Sequence, residues 1–174
     1  MLTSPLAVTI RPLTPYDSIE GLTALLHRSY AALGAMGLNY TAVDQTPEVT
    51  RRRIDGGRCL LAVDATDRVI GTVLFYAPGR AGGSPWLNRP EVAKCAQFGV
   101  DPPFQKQGIG TRLAEAVEAE AHAARAKEIA LDTAEPATHL IQWYARRGYR
   151  FIEYAQWRGK RYRSVILSKS LETA

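Results

Sequence analysis

Gln97-Phe98-Gly99-Val100-Asp101-Pro102-Pro103-Phe104-Gln105-Lys106-Gln107-Gly108-Ile109-Gly110-Thr111-Arg112-Leu113 is the stretch on which the reading of this chain turns. A β-prone run, Ala93 to Val100, stops at Asp101-Pro102-Pro103, because proline cannot donate to a ladder. A helix follows from Gly108 to Ala126, with Ile109, Leu113 and Val117 on one stripe. The first N–H groups of a helix lack intrahelical partners, and the helix dipole adds partial positive charge there. Glycines at 108 and 110 let a bulky anion such as a pyrophosphate approach that backbone. Lys106 and Arg112 add charge nearby. Taken alone, the same pattern also describes a plain glycine-rich turn before a helix.

Outward from this stretch the elements alternate. Ala7 to Arg11 reads as a strand stopped by Pro12. Asp17 caps a helix with Ile19, Leu22, Leu26, Tyr30 and Leu33 on one face, ending at Gly34 and Gly37. Thr46-Pro47-Glu48 opens a second helix, to Asp55, before Gly56-Gly57. Cys59–Val63 and Val69–Tyr76 form a hairpin, and Pro78–Pro90 is a Gly/Pro-dense loop. Glu128–Asp132 is a strand, and Thr138–Arg147 a helix closed by Gly148. Phe151–Trp157 and Tyr162–Ser168 form a last hairpin around Arg158-Gly159-Lys160. This order describes an α/β chain, a mixed sheet with helices on its faces.

A chain of 174 residues fits one domain, here 1–174, and 46% apolar residues exclude wholesale disorder. No apolar run reaches the ~18 residues of a membrane span. The opening MLTSPLAVTIRPLTP has no basic n-region and no apolar h-region, so the expected location is cytoplasmic. Cys59 and Cys95 lie in strand-like runs and read as buried free thiols. The net charge of +5 suits an anionic partner or a mixed solvated surface. Arg51-Arg52-Arg53 and Arg158 to Arg163 read as solvated faces, so neither nucleic acid nor membrane is expected as a partner. The chain lacks the dinucleotide-binding, P-loop, zinc-protease and serine-elbow motifs, and no metal site is expected. His122, four residues after Glu118, suggests a surface helix pair, and His139 lies near a helix start, which disfavours its cation.

Gln105-x-x-Gly108-x-Gly110 after a strand ending in Val100 resembles the acyl-CoA loop of the GCN5-related N-acetyltransferases. Trp143-Tyr144-Ala145-Arg146-Arg147-Gly148-Tyr149 resembles the late helix of that family, where a Tyr stands four residues before a Gly followed by an aromatic. The element order agrees from Val8 to Leu167. The resemblance implies a single-domain, mostly antiparallel twisted sheet of about seven strands, flanked by four helices and splayed at the centre. It implies transfer of an acetyl group from acetyl-CoA to a primary amine by direct attack.

Residue by residue, the resemblance puts the cofactor pyrophosphate on the amides of Gln105, Lys106, Gln107, Gly108, Ile109, Gly110 and Thr111. The pantetheine arm would pair with Phe98, Gly99 and Val100, with Gly99 as the bulge residue and the Val100 N–H as oxyanion donor. Thr133 would touch the arm from the far strand. Tyr144 matches the general acid that protonates the leaving thiolate. Many members carry a Glu six residues before the strand-end Val, where this chain has Lys94, so Glu91 is the candidate base, directly or through a water. The family's frequent Asn, seven residues before the Tyr, is Ala137 here.

The acceptor would bind near Gly34 to Asp44, with Met36, Leu38 and Tyr40 as lining residues. Only Asp44 and Glu48 are close, which disfavours a polycation, while a small amine, an amino-acid-like molecule or a peptide N-terminus stays open. The choice between acetyl and a longer acyl group, and between monomer and homodimer, is open as well. The alternatives to an enzyme are a catalytically silent acyl-CoA-binding protein of the same fold and a nucleic-acid module.

Overall fold

The computed structural model describes residues 6–80 and 82–172. Seven strands form one sheet in the order β1-β2-β3-β4-β5-β7-β6. They are β1 (Val8–Pro12), β2 (Arg58–Asp64), β3 (Val69–Tyr76), β4 (Val92–Val100), β5 (Glu128–Ala134), β6 (Arg150–Ala155) and β7 (Ser164–Ser170). All pairings are antiparallel except β4 with β5. The helices are α1 (Ile19–Ala35), α2 (Thr41–Asp44), α3 (Pro47–Asp55), α4 (Ile109–Ala123) and α5 (Thr138–Ala145). The single turn α2 is a fifth helix beyond the four expected, too short to leave a periodic signature.

The middle strands are buried on both faces. Leu60 and Ala62 of β2 face α4, where Ile109, Leu113 and Val117 complete the main core. Cys59, Leu61 and Val63 point the other way and pack with Leu22 of α1. Two covered faces explain why β2 reads as an unbroken apolar run. Ser18, not Asp17, caps α1, its side chain accepting from the Gly21 N–H at 3.0 Å. Asp17 is drawn away by Arg11, which donates to it at 2.8 and 2.9 Å, and by the Thr14 N–H at 2.7 Å. Glu118 meets Lys169 and Tyr149 rather than His122.

The parallel pairing of β4 with β5 covers Val92–Lys94 and Glu128–Ala130 only. Beyond it, β4 stays with β3 and β5 stays with β7. The sheet therefore splits along its centre, as the resemblance implied.

Candidate active site

The split opens into a cavity of about 1030 Å³. One wall is the last half of β4. Thr72 of β3 faces Gly99 while Leu74 faces Ala96, so Gln97 and Phe98 together oppose Val73. The bulge thus sits at Gln97–Phe98, with Gln97 at φ +47°, not at Gly99. Glycine at 99 has a different reason: a Cβ there would lie 2.8 Å from Ser29 Cβ of α1. The unusual Gln97 backbone is held by its buried side chain, which accepts from Gln45 Nε2 at 2.7 Å.

The Asp101 N–H donates to Ile70 O of β3. N–H groups alternate edges along a strand, so the Val100 N–H faces the split. The Val100 carbonyl, on the same edge, accepts from Gln105 Nε2 at 2.9 Å. Asp101 is buried and takes a two-pronged bond from Arg28 at 3.0 and 2.8 Å, which fixes the strand end to α1.

The loop into α4 turns through Lys106 at φ +61° and Gly108 at φ +82°, and no side chain caps the helix. Gly110 has a Cβ position 3.6 Å from Trp143 and no positive φ, so nothing within the protein requires glycine there. Gln105, Lys106, Gly108, Gly110 and Thr111 line the cavity. Ile109 does not; it is core. Gln107 turns back to the Pro103 carbonyl, and Arg112 donates to Val8 O on β1.

Arg147 is a cavity residue that sequence reasoning passed over. Its guanidinium carbon lies 3.3 Å from the Trp143 ring centroid, and Nη2 donates to Thr111 Oγ1 at 2.6 Å. Its Nε is buried without a partner among the described residues. The readable signal was its spacing, four residues after Trp143, just past the end of α5.

Tyr144 lines the cavity among the rings of Phe98, Trp143 and Tyr149. Burial holds its hydroxyl well above the usual phenol range, so it stays protonated. That hydroxyl makes no hydrogen bond among the described residues. Cys95 also lines the cavity, but burial pushes its thiol up to about 12, which keeps it from acting as a thiolate nucleophile. Both cysteines are free and buried, as read from the sequence.

At the other end of the cavity, Tyr40 Oη lies 2.8 Å from Thr133 Oγ1 and accepts from the Ala134 N–H at 2.9 Å. Tyr40 thereby ties the free edge of β5 to the α1–α2 connection. Met36 and Leu38 do not line the cavity: Met36 is half exposed at the end of α1, and Leu38 packs with Leu33, Ala137 and Tyr162. Glu91 is outside the lining too, bonded to Arg89 Nε at 2.7 Å at the start of β4. The carboxylate that does line the cavity is Asp132 of β5. Lys94 Nζ lies 3.0 Å from its Oδ1, and Trp157 Nε1 donates to its Oδ2 at 3.0 Å. Strand alternation could have suggested Asp132, but not that the sheet opens beside it.

Arg53 and Lys160 also line this end. Their two basic runs read as solvated faces, and Arg51, Arg52, Arg158 and Arg161 are indeed exposed. Arg53 and Lys160 differ because α3 and the β6–β7 turn aim one cation of each run inward.

A split mixed sheet with a cavity running from an uncapped glycine-rich helix start to a buried tyrosine is the architecture of an acyl-group transferase. Residues 25–149 match the acetyltransferase (GNAT) family model, and the chain belongs to that family. It is an N-acetyltransferase, and enzymes of this family take the acetyl group from acetyl-CoA. The chain is 27% identical over 135 residues to S-(2-succino)cysteine N-acetyltransferase of Bacillus subtilis, covering 75% of this chain and 77% of that one. A GNAT family acetyltransferase from Elizabethkingia anophelis, solved with acetyl-CoA bound, shares the fold with TM-score 0.67 at 21% identity, over 94% of this chain and 98% of that one. The ribosomal-protein-S18-alanine N-acetyltransferase of Escherichia coli shares it with TM-score 0.71 at 13% identity, over 97% and 96%. No described helix is long and apolar enough to cross a membrane.

Proposed function

We propose that acetyl-CoA lies along the split, with its pyrophosphate on the amides of the Gln105–Thr111 loop, and that a primary amine of a small molecule attacks the thioester directly. The observation that carries this reading is the continuous cavity from Gly108 and Gly110, past the free edge of Val100, to Tyr144. The residues fit the donor: Gly110 leaves space that no internal contact needs, and the Arg147 guanidinium, bonded to Thr111, puts a cation at the same end.

Each step has a residue. The Val100 N–H hydrogen-bonds the oxyanion as the amine nitrogen adds to the thioester carbon. The C–S bond then breaks, and Tyr144 gives its proton to the departing sulfur. Asp132 receives the proton lost by the amine. Glu91, whose side chain is turned to Arg89, would need a water chain for that task. The relative named for S-(2-succino)cysteine supports a small acceptor over a peptide. Two buried free thiols suit a reducing compartment such as the cytoplasm.

The test is calorimetric titration with acetyl-CoA, beside Gly110→Glu and Tyr144→Phe, followed by thiol release with an amine panel. Wild type and Tyr144→Phe bind, Gly110→Glu does not, and Tyr144→Phe loses turnover. Unimpaired binding by Gly110→Glu would move the donor elsewhere.

A further inference from the structure

We propose that the acceptor is an amine that also carries a carboxylate, and that Arg53 and Lys160 hold that carboxylate at the end of the cavity away from the glycine loop. This rests on the acetyltransferase reading of the same cavity and names its acceptor class.

Arg53 and Lys160 reach the cavity from elements far apart in sequence, α3 and the β6–β7 turn. Neither has a carboxylate partner among the described residues. Each is instead steadied by neutral oxygens. Arg53 Nη1 donates to Gln45 Oε1 at 3.0 Å. Lys160 Nζ donates to Asn39 O at 2.7 Å and Thr41 Oγ1 at 3.0 Å. One of five Arg53 donors and two of three Lys160 donors are thus engaged, leaving the rest for a ligand. After burial, Arg53 acts against the charge on Lys160, while Asp44 and Asp132 favour it from further off without bonding it. Two like charges in a partly closed cavity repel, and an anion between them relieves both.

The arrangement is also rigid. Gly159, at φ +80°, makes the turn that presents Lys160. Asn39 bolts that turn to the α1–α2 connection, with Nδ2 donating to Gly159 O at 2.9 Å and Oδ1 accepting from the Arg161 N–H at 3.0 Å. Arg53 is fixed through Gln45, which also bonds Gln97 at the β4 bulge. Preorganised cations lose little freedom on binding.

The single acid in the described lining, Asp132, already has Lys94 and Trp157 on its two oxygens. A diamine would find Asp132 for one nitrogen and two cations facing the other. An amino acid finds a carboxylate site in Arg53 and Lys160 and a proton acceptor for its amine in Asp132. The terminus of a long peptide carries no carboxylate at that distance from its amine.

The experiment measures CoA release for the protein amino acids, their α-amides and their decarboxylated amines, with acetyl-CoA binding followed separately by calorimetry. The expected result is a kcat/KM for the preferred free acid at least about 30-fold above its amide. Arg53→Gln and Lys160→Met each collapse that acid-to-amide ratio. Because the ratio is taken within one preparation, it does not depend on how much of a variant is folded. Equal rates on acid and amide, an undiminished ratio in both variants, or acetyl-CoA binding with no carboxylate-bearing amine acetylated would each overturn the proposal. Absence of acetyl-CoA binding by the wild type would instead overturn the donor reading beneath it.

Discussion

Lys94 Nζ and Asp132 Oδ1 stand 3.0 Å apart across the point where β4 and β5 part. Lys94 belongs to the last residue pair that still bonds the two strands, and Asp132 lies two residues past it. The ion pair therefore sits at the apex of the split and sets the sole carboxylate of the described lining there. If Asp132 takes the amine proton, Asp132→Asn lowers kcat/KM by about 100-fold, the range of a lost general base. Acetyl-CoA affinity stays within threefold of wild type, by about 0.6 kcal/mol or less. A pH profile separates proton transfer from scaffolding: loss of the acidic limb of kcat/KM in Asp132→Asn assigns the proton, and an unchanged limb denies it.

Tyr144→Phe keeps the ring packing with Phe98, Trp143 and Tyr149 and deletes only the hydroxyl. The expected loss in kcat is about 10²- to 10³-fold, with little change in melting temperature. A stable variant with wild-type turnover would remove Tyr144 from the chemistry.

Gly99→Ala puts a Cβ 2.8 Å from Ser29 Cβ, a backbone-borne clash that α1 must move to relieve. The expected cost is about 1–3 kcal/mol, seen as a fall in melting temperature. Donor affinity falls with it, because α1 is tied through Arg28 to Asp101 at the end of β4. An unchanged melting curve would contradict the close approach of α1 to β4.

Arg11 holds the Asp17 carboxyl well below the usual carboxylate range, chiefly through its hydrogen bonds, with Thr14 adding two more. A depressed folded pKa contributes stability above the unfolded value, about 3.9. That contribution is lost as pH falls below 4 toward the folded value. Asp17→Asn should cost about 2 kcal/mol at pH 7, since hydrogen bonds to charged groups are at stake. The gap between wild-type and variant melting temperatures should hold from pH 8 to 5.5 and shrink below about 4, where the unfolded carboxylate protonates. A gap that does not change with pH would mean the carboxylate charge is not what Arg11 holds.

The sequence by itself determined every element but α2, the family, and the glycine-rich loop proposed to hold the donor. Those features are local: a strand ends, prolines break it, and Gly108 and Gly110 open a periodic helix within one stretch. Tyr144 was readable for the same reason, at a fixed spacing from Gly148. At the proposed acceptor end only Tyr40 was legible in sequence, and tertiary structure added Arg53, Asp132 and Lys160. Tyr40, Arg53, Asp132 and Lys160 come from four separate segments and meet only because β4 and β5 stop pairing after Lys94. No periodicity marks which arginine of Arg51-Arg52-Arg53 turns inward, since that depends on the docking of α3. The bulge moved from Gly99 to Gln97 by the same logic. A partner amide from Gln45, 52 residues away in sequence, stabilises a backbone conformation that local propensity would have given to glycine.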